Sequence, residues 1–140
     1  MNTAEQAHAL ATSLVSTGQR LGVETDCVIT DMNQPLGRCV GNLVEVEEAI
    51  EALEGNGESR LMTIVQRLAS DLLEMSSPQL SPAHISEQIN DAIQSGNARK
   101  KLIQMIDHQG GRIRVMKPAR QSIELKAELS GYVSMISPNE

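Results

Sequence analysis

Apolar residues recur every three or four positions along most of the chain, a spacing that predicts amphipathic helices. The first helix is predicted over residues 4–20, since Thr3 and Gln6 form a T-x-x-Q capping box and Gly22 follows as a C-terminal stop. Four more helices are predicted: one capped by Asn42 and ended by Gly55, one over 59–75, one opened by Ser81 and Pro82, and one capped by Asn97 and ended near Gly110.

Two segments have strand patterns instead. Cys27-Val28-Ile29 is a continuous apolar run, typical of a strand buried on both faces of a parallel sheet, and we expect Cys27 to be a core residue of it. Apolar residues alternate over 123–129, and with 132–136 after Gly131 they predict a C-terminal β-hairpin. The predicted fold class is therefore α/β, mostly helical, with a short C-terminal hairpin. The change of pattern after Gly111 divides the chain into 1–111 and a β-rich 112–140.

Composition narrows the function classes. The 140 residues carry a net charge of −6 and a single aromatic residue, Tyr132, so a nucleic-acid-binding role is not expected. No apolar run is long enough to span a membrane, and the N-terminus lacks a secretory pattern. We therefore expect a cytoplasmic protein that binds neither nucleic acid nor membrane.

Charge is distributed unevenly along the chain. Residues 1–75 hold 12 acidic and 4 basic residues, whereas 76–140 hold 6 acidic and 8 basic. A solvated face is the favoured interpretation of the basic residues, and an anion-binding surface is the alternative. The basic cluster consists of Arg99, Lys100, Lys101, Arg112, Arg114, Lys117 and Arg120.

Few residues suggest chemistry of their own. The chain has no phosphate-binding glycine loop, nucleophile elbow or zinc-protease motif, and Cys27 and Cys39 are predicted to be reduced thiols. The three histidines are interpreted as surface or capping residues. Glu45 and Glu48 share a helical face, and the spacing alone favours a dipole interaction at the helix start over a metal site. The preceding loop could add backbone carbonyls, which with one carboxylate suit a hard cation.

The stretch VITDMNQPLGRCVGNLVEVEEAIEALEGNG, residues 28–57, resembles the pyrimidine-nucleoside phosphorylases, which include thymidine phosphorylase. Their pattern is a strand ending in [ST]DM, then QPLG, then GN-x-x-EV-x-EAI, and Cys39 stands where alanine is usual. The resemblance extends back over MNTAEQAHALATSL and forward through AIQSGNARKKLIQMIDHQGG to AELSGYVSMI. It implies that residues 1–111 form part of the family's α/β lobe and that residues 112–140 begin its C-terminal domain.

The resemblance implies phosphorolysis of a pyrimidine nucleoside to the free base and a pentose 1-phosphate, a pentosyl (glycosyl) transfer. The family's phosphate-binding and base-binding motifs have no counterpart in this sequence, so no catalytic or substrate-binding residue is assigned. One family feature does map: a structural monovalent or calcium-like cation held by Leu36, Cys39 and Glu48. The match supplies only half of that site, so we expect weak binding and no required cofactor.

Two functions follow from the sequence. In the first, the chain is a truncated phosphorylase, inactive alone, that meets phosphate and nucleoside only when an N-terminal half completes it. In the second, it is a non-catalytic interaction module that associates with that half or with itself, through exposed sheet or helix faces.

Overall fold

The computed structural model describes residues 3–31, 33–113 and 121–134. Within them the chain is mostly helical, with a π-helical segment directly after the second helix. The helices are α1 (Ala4–Arg20), α2 (Asn42–Glu51), the π-helical segment (Ala52–Asn56), α3 (Ser59–Ser76), α4 (Pro82–Gln94) and α5 (Asn97–His108).

Side-chain caps fix several helix starts. The Thr3 hydroxyl accepts a hydrogen bond from the Gln6 N–H at 3.2 Å, as the capping box predicts. The Ser81 hydroxyl likewise accepts from the His84 N–H at 3.3 Å, with proline in the first turn of α4. The predicted spans of α1 and α3 are confirmed to within one residue.

The caps of α2 and α5 differ from prediction. Asn42 and Asn97 are the first helical residues, and the preceding Gly41 and Gly96 occupy the cap positions without a side-chain bond. Gly96 has a φ of +72°, a conformation that a residue with a Cβ rarely adopts. A glycine has no side-chain acceptor, so the prediction that an asparagine side chain caps α2 and α5 is wrong.

Glu58 caps α3, which the sequence pattern did not indicate. Its carboxylate accepts hydrogen bonds from the Arg60 N–H at 2.8 Å and the Leu61 N–H at 3.1 Å. The Leu61 N–H, together with the Ser59 hydroxyl, lowers the pKa of the Glu58 carboxyl. The ionised carboxylate therefore stabilises the start of this helix.

The core lies where α4 packs between α3, α5 and the π-helical segment. Ala52, Ile85 and Ile89 are the buried hydrophobic residues of the described chain, and Ile85 is only 1% exposed. On α3, the apolar residues Leu68 and Leu72 are exposed, at 45% and 65%, and Leu43 and Val46 of α2 are each 46% exposed. Nothing in the described chain covers the ends of these apolar stripes.

The predicted strand at 27–29 is not found, and Cys27 is half-buried instead of lying in a sheet core. Residues 23–31 run beside α1, where the Cys27 thiol lies 3.8 Å from the Ala11 carbonyl oxygen. Gly18 permits this approach, because a Cβ there would collide with Thr25. A strand is defined by its ladder of hydrogen bonds, and no second strand lies beside this segment in the described chain.

The C-terminal hairpin is also absent from the part of the chain that can be described. Residues 121–134 form no strand and are exposed, and residues 135–136 of the predicted second strand lie outside the described residues. The hairpin therefore stays a prediction. Among the described helices, none is both long and apolar enough to cross a membrane.

Candidate functional site

The loop before α2 is folded around one carboxylate. The Arg38 N–H donates to Glu48 Oε1 at 2.7 Å, and the Cys39 N–H donates to Glu48 Oε2 at 3.2 Å. Glu48 lies in the second turn of α2, so its side chain reaches back along the helix to the loop. The contact fixes the loop against the helix that follows it.

Gly37 allows the carboxylate to approach so closely. A Cβ added at Gly37 would lie 2.8 Å from the Glu48 Cδ, and the backbone there has a φ of +82°. Both features require a residue without a side chain. The glycine of the QPLG motif and Glu48 are therefore parts of one arrangement.

Glu45 makes a second contact of the same kind. Its Oε1 accepts from the Gly41 N–H at 2.8 Å, which satisfies a backbone donor just before α2. The spacing argument that placed Glu45 and Glu48 on one face is thus confirmed, and both carboxylates bind the backbone of the same loop. The two carboxylates therefore fix the loop to the start of α2.

These contacts involve the loop of the predicted cation site. Glu48 lies beside residue 39, where the loop presents N–H donors to the carboxylate, and Leu36 is half-buried in the same loop. A carboxylate has about four acceptor positions, so roughly two remain for a cation after these two bonds. Among the described residues, no three histidine, cysteine, aspartate or glutamate side chains gather to hold a metal. Ligation by the carbonyls of Leu36 and Cys39 stays a prediction.

The thiol of Cys39 lies near the carboxylate of Glu48. Burial raises its pKa, and the negative charge of Glu48 raises it further. Cys27 and Cys39 are both free, as predicted. A thiol with a raised pKa is mostly protonated at neutral pH and is a poor nucleophile.

A second polar site joins the end of segment 23–31 to α3. The Arg60 Nη2 donates to the Asp31 carbonyl oxygen at 2.8 Å and lies 3.9 Å from the Asp31 carboxylate. A shallow cavity of about 520 Å³ opens here, lined also by Thr30, Gln34 and Thr63. Arg60 was missed by sequence reasoning, because a lone basic residue in a first helical turn has no pattern to distinguish it.

The histidines and the basic cluster make local contacts. His84 Nδ1 lies 3.1 Å from the Ser81 hydroxyl, and His108 Nδ1 lies 2.7 Å from the Gln104 carbonyl oxygen. Arg99 pairs with Glu54 at 2.7 Å. Three members of the basic cluster, Arg114, Lys117 and Arg120, lie outside the described residues.

Comparison with known proteins finds relatives for the whole chain. Pyrimidine-nucleoside phosphorylases from Staphylococcus haemolyticus and Staphylococcus aureus are each 37% identical to it over 146 aligned positions, and that from Staphylococcus epidermidis is 34% identical. No protein-family model matches the chain. The alignments cover 100% of this chain but 34% of each relative, so the chain spans about a third of the relatives' length. The relation confirms the resemblance first seen in residues 28–57: this chain is homologous, along its whole length, to part of the pyrimidine-nucleoside phosphorylases.

Proposed function

We propose that this chain supplies one part of a pyrimidine-nucleoside phosphorylase and does not catalyse phosphorolysis alone. The observation that carries the proposal is the alignment of the entire chain with about a third of proteins of that name. Residues 1–111 would form part of the α/β lobe, and residues 112–140 would begin the C-terminal domain with its hairpin. The completed protein would release a pyrimidine base from its nucleoside in the presence of phosphate.

The role of this part would be to position the loop at 36–41. Glu48 holds the backbone of that loop through two N–H donors, which keeps the two carbonyls proposed as cation ligands in a defined place. The proposed ligands are Leu36 and Cys39 through their carbonyl oxygens and Glu48 through its carboxylate. One carboxylate with neutral oxygens suits potassium or calcium at low affinity.

The first experiment incubates the purified 140-residue chain with phosphate and either thymidine or uridine. We expect base release no faster than in buffer, as measured by chromatography. Release well above that background would overturn the proposed inactivity. The second experiment tests the cation site by titration with calcium or potassium. The titration is followed by NMR through the amide signals of Arg38 and Cys39, and unchanged signals at millimolar calcium would refute the site.

A second proposed function, as a non-catalytic interaction module, is favoured by the exposed apolar residues. Leu10 and Leu14 of α1 lie on one stripe and are 43% and 51% exposed, while α1 has no buried residue. Apolar stripes of this kind are typical of surfaces that associate. Light scattering on the purified chain tests self-association, and a strict monomer at 15.2 kDa would exclude the self-associating form of this function.

A further inference from the structure

Asn56 and Gly57 form an Asn-Gly pair between the π-helical segment and α3. Asparagine is a thermolabile residue, because the backbone nitrogen of the following residue attacks its side-chain carbonyl carbon. Glycine hinders this attack least of all residues, since it has no side chain. No other asparagine in the sequence precedes a glycine.

The structure leaves both reacting groups of this pair available. Asn56 is exposed, and its side-chain amide makes no hydrogen bond within the described residues. The Gly57 N–H likewise donates no hydrogen bond in the described chain, and the residue is extended, with φ at −66° and ψ at 150°. The nitrogen can therefore attack without the prior loss of a hydrogen bond at either group.

We propose that Asn56 is a site of spontaneous deamidation and that the isoaspartyl product releases the cap of α3. The Gly57 nitrogen gives its proton to solvent base and bonds to the Asn56 Cγ. The bond from Cγ to Nδ2 then breaks, and the amide nitrogen takes up a proton from solvent and leaves as ammonia. Water opens the resulting succinimide ring at one of its two carbonyl carbons. Opening at one carbon gives aspartate, and opening at the other gives isoaspartate, whose main chain runs through Cβ and Cγ.

The isoaspartyl form inserts a methylene into the backbone where the chain is closely packed. A Cβ added at Gly57 would lie 3.0 Å from the Cβ of the buried Ala52, so the backbone has little room to shift. The next residue, Glu58, accepts hydrogen bonds from the Arg60 N–H at 2.8 Å and the Leu61 N–H at 3.1 Å. A methylene inserted just before Gly57 should displace the Glu58 carboxylate from these two donors.

The first experiment incubates the purified 140-residue chain at mildly alkaline pH and follows its tryptic peptides by mass spectrometry. Cleavage after Arg38 and Arg60 yields one peptide that contains both Asn42 and Asn56. Asn42 precedes Leu43 and is therefore an internal reference. Fragmentation of the peptide assigns each gain of about one mass unit to one of the two asparagines. We expect Asn56 to deamidate at least about tenfold faster than Asn42.

Asn56→Gln is the matched control. It keeps a side-chain amide, but ring closure by glutamine needs a larger ring, so position 56 should gain no mass. The folded chain should deamidate at Asn56 within about tenfold of the rate in guanidinium chloride, because the fold leaves both groups free. Equal rates at Asn42 and Asn56, or reaction in the unfolded chain only, would overturn the site.

The second experiment tests the release of the cap by hydrogen exchange at the Arg60 and Leu61 amides. Asn56→Asp is the control, since it carries the charge of the deamidated chain on an unaltered backbone. Both amides should exchange several-fold faster in the isolated isoaspartyl chain than in the unaltered chain, and freshly prepared Asn56→Asp should exchange near the unaltered rate. Equal exchange in the isoaspartyl chain and Asn56→Asp would refute the release of the cap.

Discussion

Replacement of Glu48 by alanine should free the loop before α2 and lower the free energy of unfolding by about 1–2 kcal/mol. The carboxylate accepts two backbone hydrogen bonds, at 2.7 Å from Arg38 and 3.2 Å from Cys39. The shorter bond is exposed and the longer one is part-buried, so each is worth roughly 0.5–1 kcal/mol, below the range for fully buried charged bonds. Loss of the acceptor also leaves the part-buried Cys39 N–H without a partner.

Glu47→Ala is the matched control. Glu47 precedes Glu48 by one position on α2 and carries the same charge, but it makes no hydrogen bond or ion pair in the described chain. Both substitutions change helix propensity and helix-dipole interaction by nearly the same amount. The difference between the two variants therefore isolates the loop contacts, and Glu48→Gln, which keeps one acceptor oxygen, should lose about half as much.

The assay is urea unfolding followed by circular dichroism, together with hydrogen exchange at Arg38 and Cys39. Glu48→Ala should shift the unfolding midpoint well below that of Glu47→Ala and should accelerate exchange of both amides. Equal midpoints with unchanged exchange at the two amides would refute the proposed anchoring of the loop.

Gly37→Ala tests the same contact from the opposite side. It places a side chain at a φ of +82°, at a cost of roughly 1–2 kcal/mol, and also displaces the carboxylate. The cost of displacing the carboxylate should vanish when Glu48 is already alanine. Gly37→Ala should therefore destabilise the Glu48→Ala variant less than it destabilises the unaltered chain. Equal costs in the two backgrounds would show that the close approach has no energetic effect.

Three further predictions concern α3, the loop thiol and the core. The pKa of Glu58 is lowered in the folded state, so its capping stabilises α3 above the ordinary carboxyl pKa and is lost as pH falls through the folded-state pKa. The difference in stability between the unaltered chain and Glu58→Gln should therefore shrink as pH falls below about 4.5. A constant difference would contradict this prediction. Glu48→Gln should lower the raised pKa of Cys39 and accelerate its alkylation at pH 8, whereas an unchanged rate would show that the charge of Glu48 does not contribute to the raised pKa. Ile85→Ala should lower the free energy of unfolding in urea by about 2–5 kcal/mol, because Ile85 is 1% exposed. Leu72→Ala should lower it by well under about 1 kcal/mol, because Leu72 is 65% exposed. Similar losses in the two variants would refute the position of the core.

The helices were predictable because their signals are local. Thr3 with Gln6, and Ser81 with Pro82, lie within one turn of the helix that they begin, so the sequence contains the whole interaction. Gly41 and Gly96 show the limit of this reasoning, since an asparagine beside a glycine gives two candidate caps and only the backbone conformation decides between them. Helix boundaries therefore follow closely from sequence, whereas the identity of the cap does not always do so.

Strands and contacts across the fold were less predictable because their partners are distant in sequence. The apolar run at 27–29 has strand composition, but composition does not provide the neighbouring strand that forms a ladder. Arg60 holds Asp31 across 29 positions, and no short motif connects two residues so far apart. The resemblance assigned Glu48 to a cation site, and it did not indicate that loop N–H groups would meet its carboxylate.

Ile29 in segment 23–31 and the apolar residues Leu68 and Leu72 on α3 are exposed for the same reason. A helical or strand pattern identifies a face that is stable only when something covers it, without identifying what covers it. Within the described chain, α4 covers part of α3 and leaves Leu68 and Leu72 open, while α1 and α3 hold the ends of segment 23–31 and leave Ile29 open.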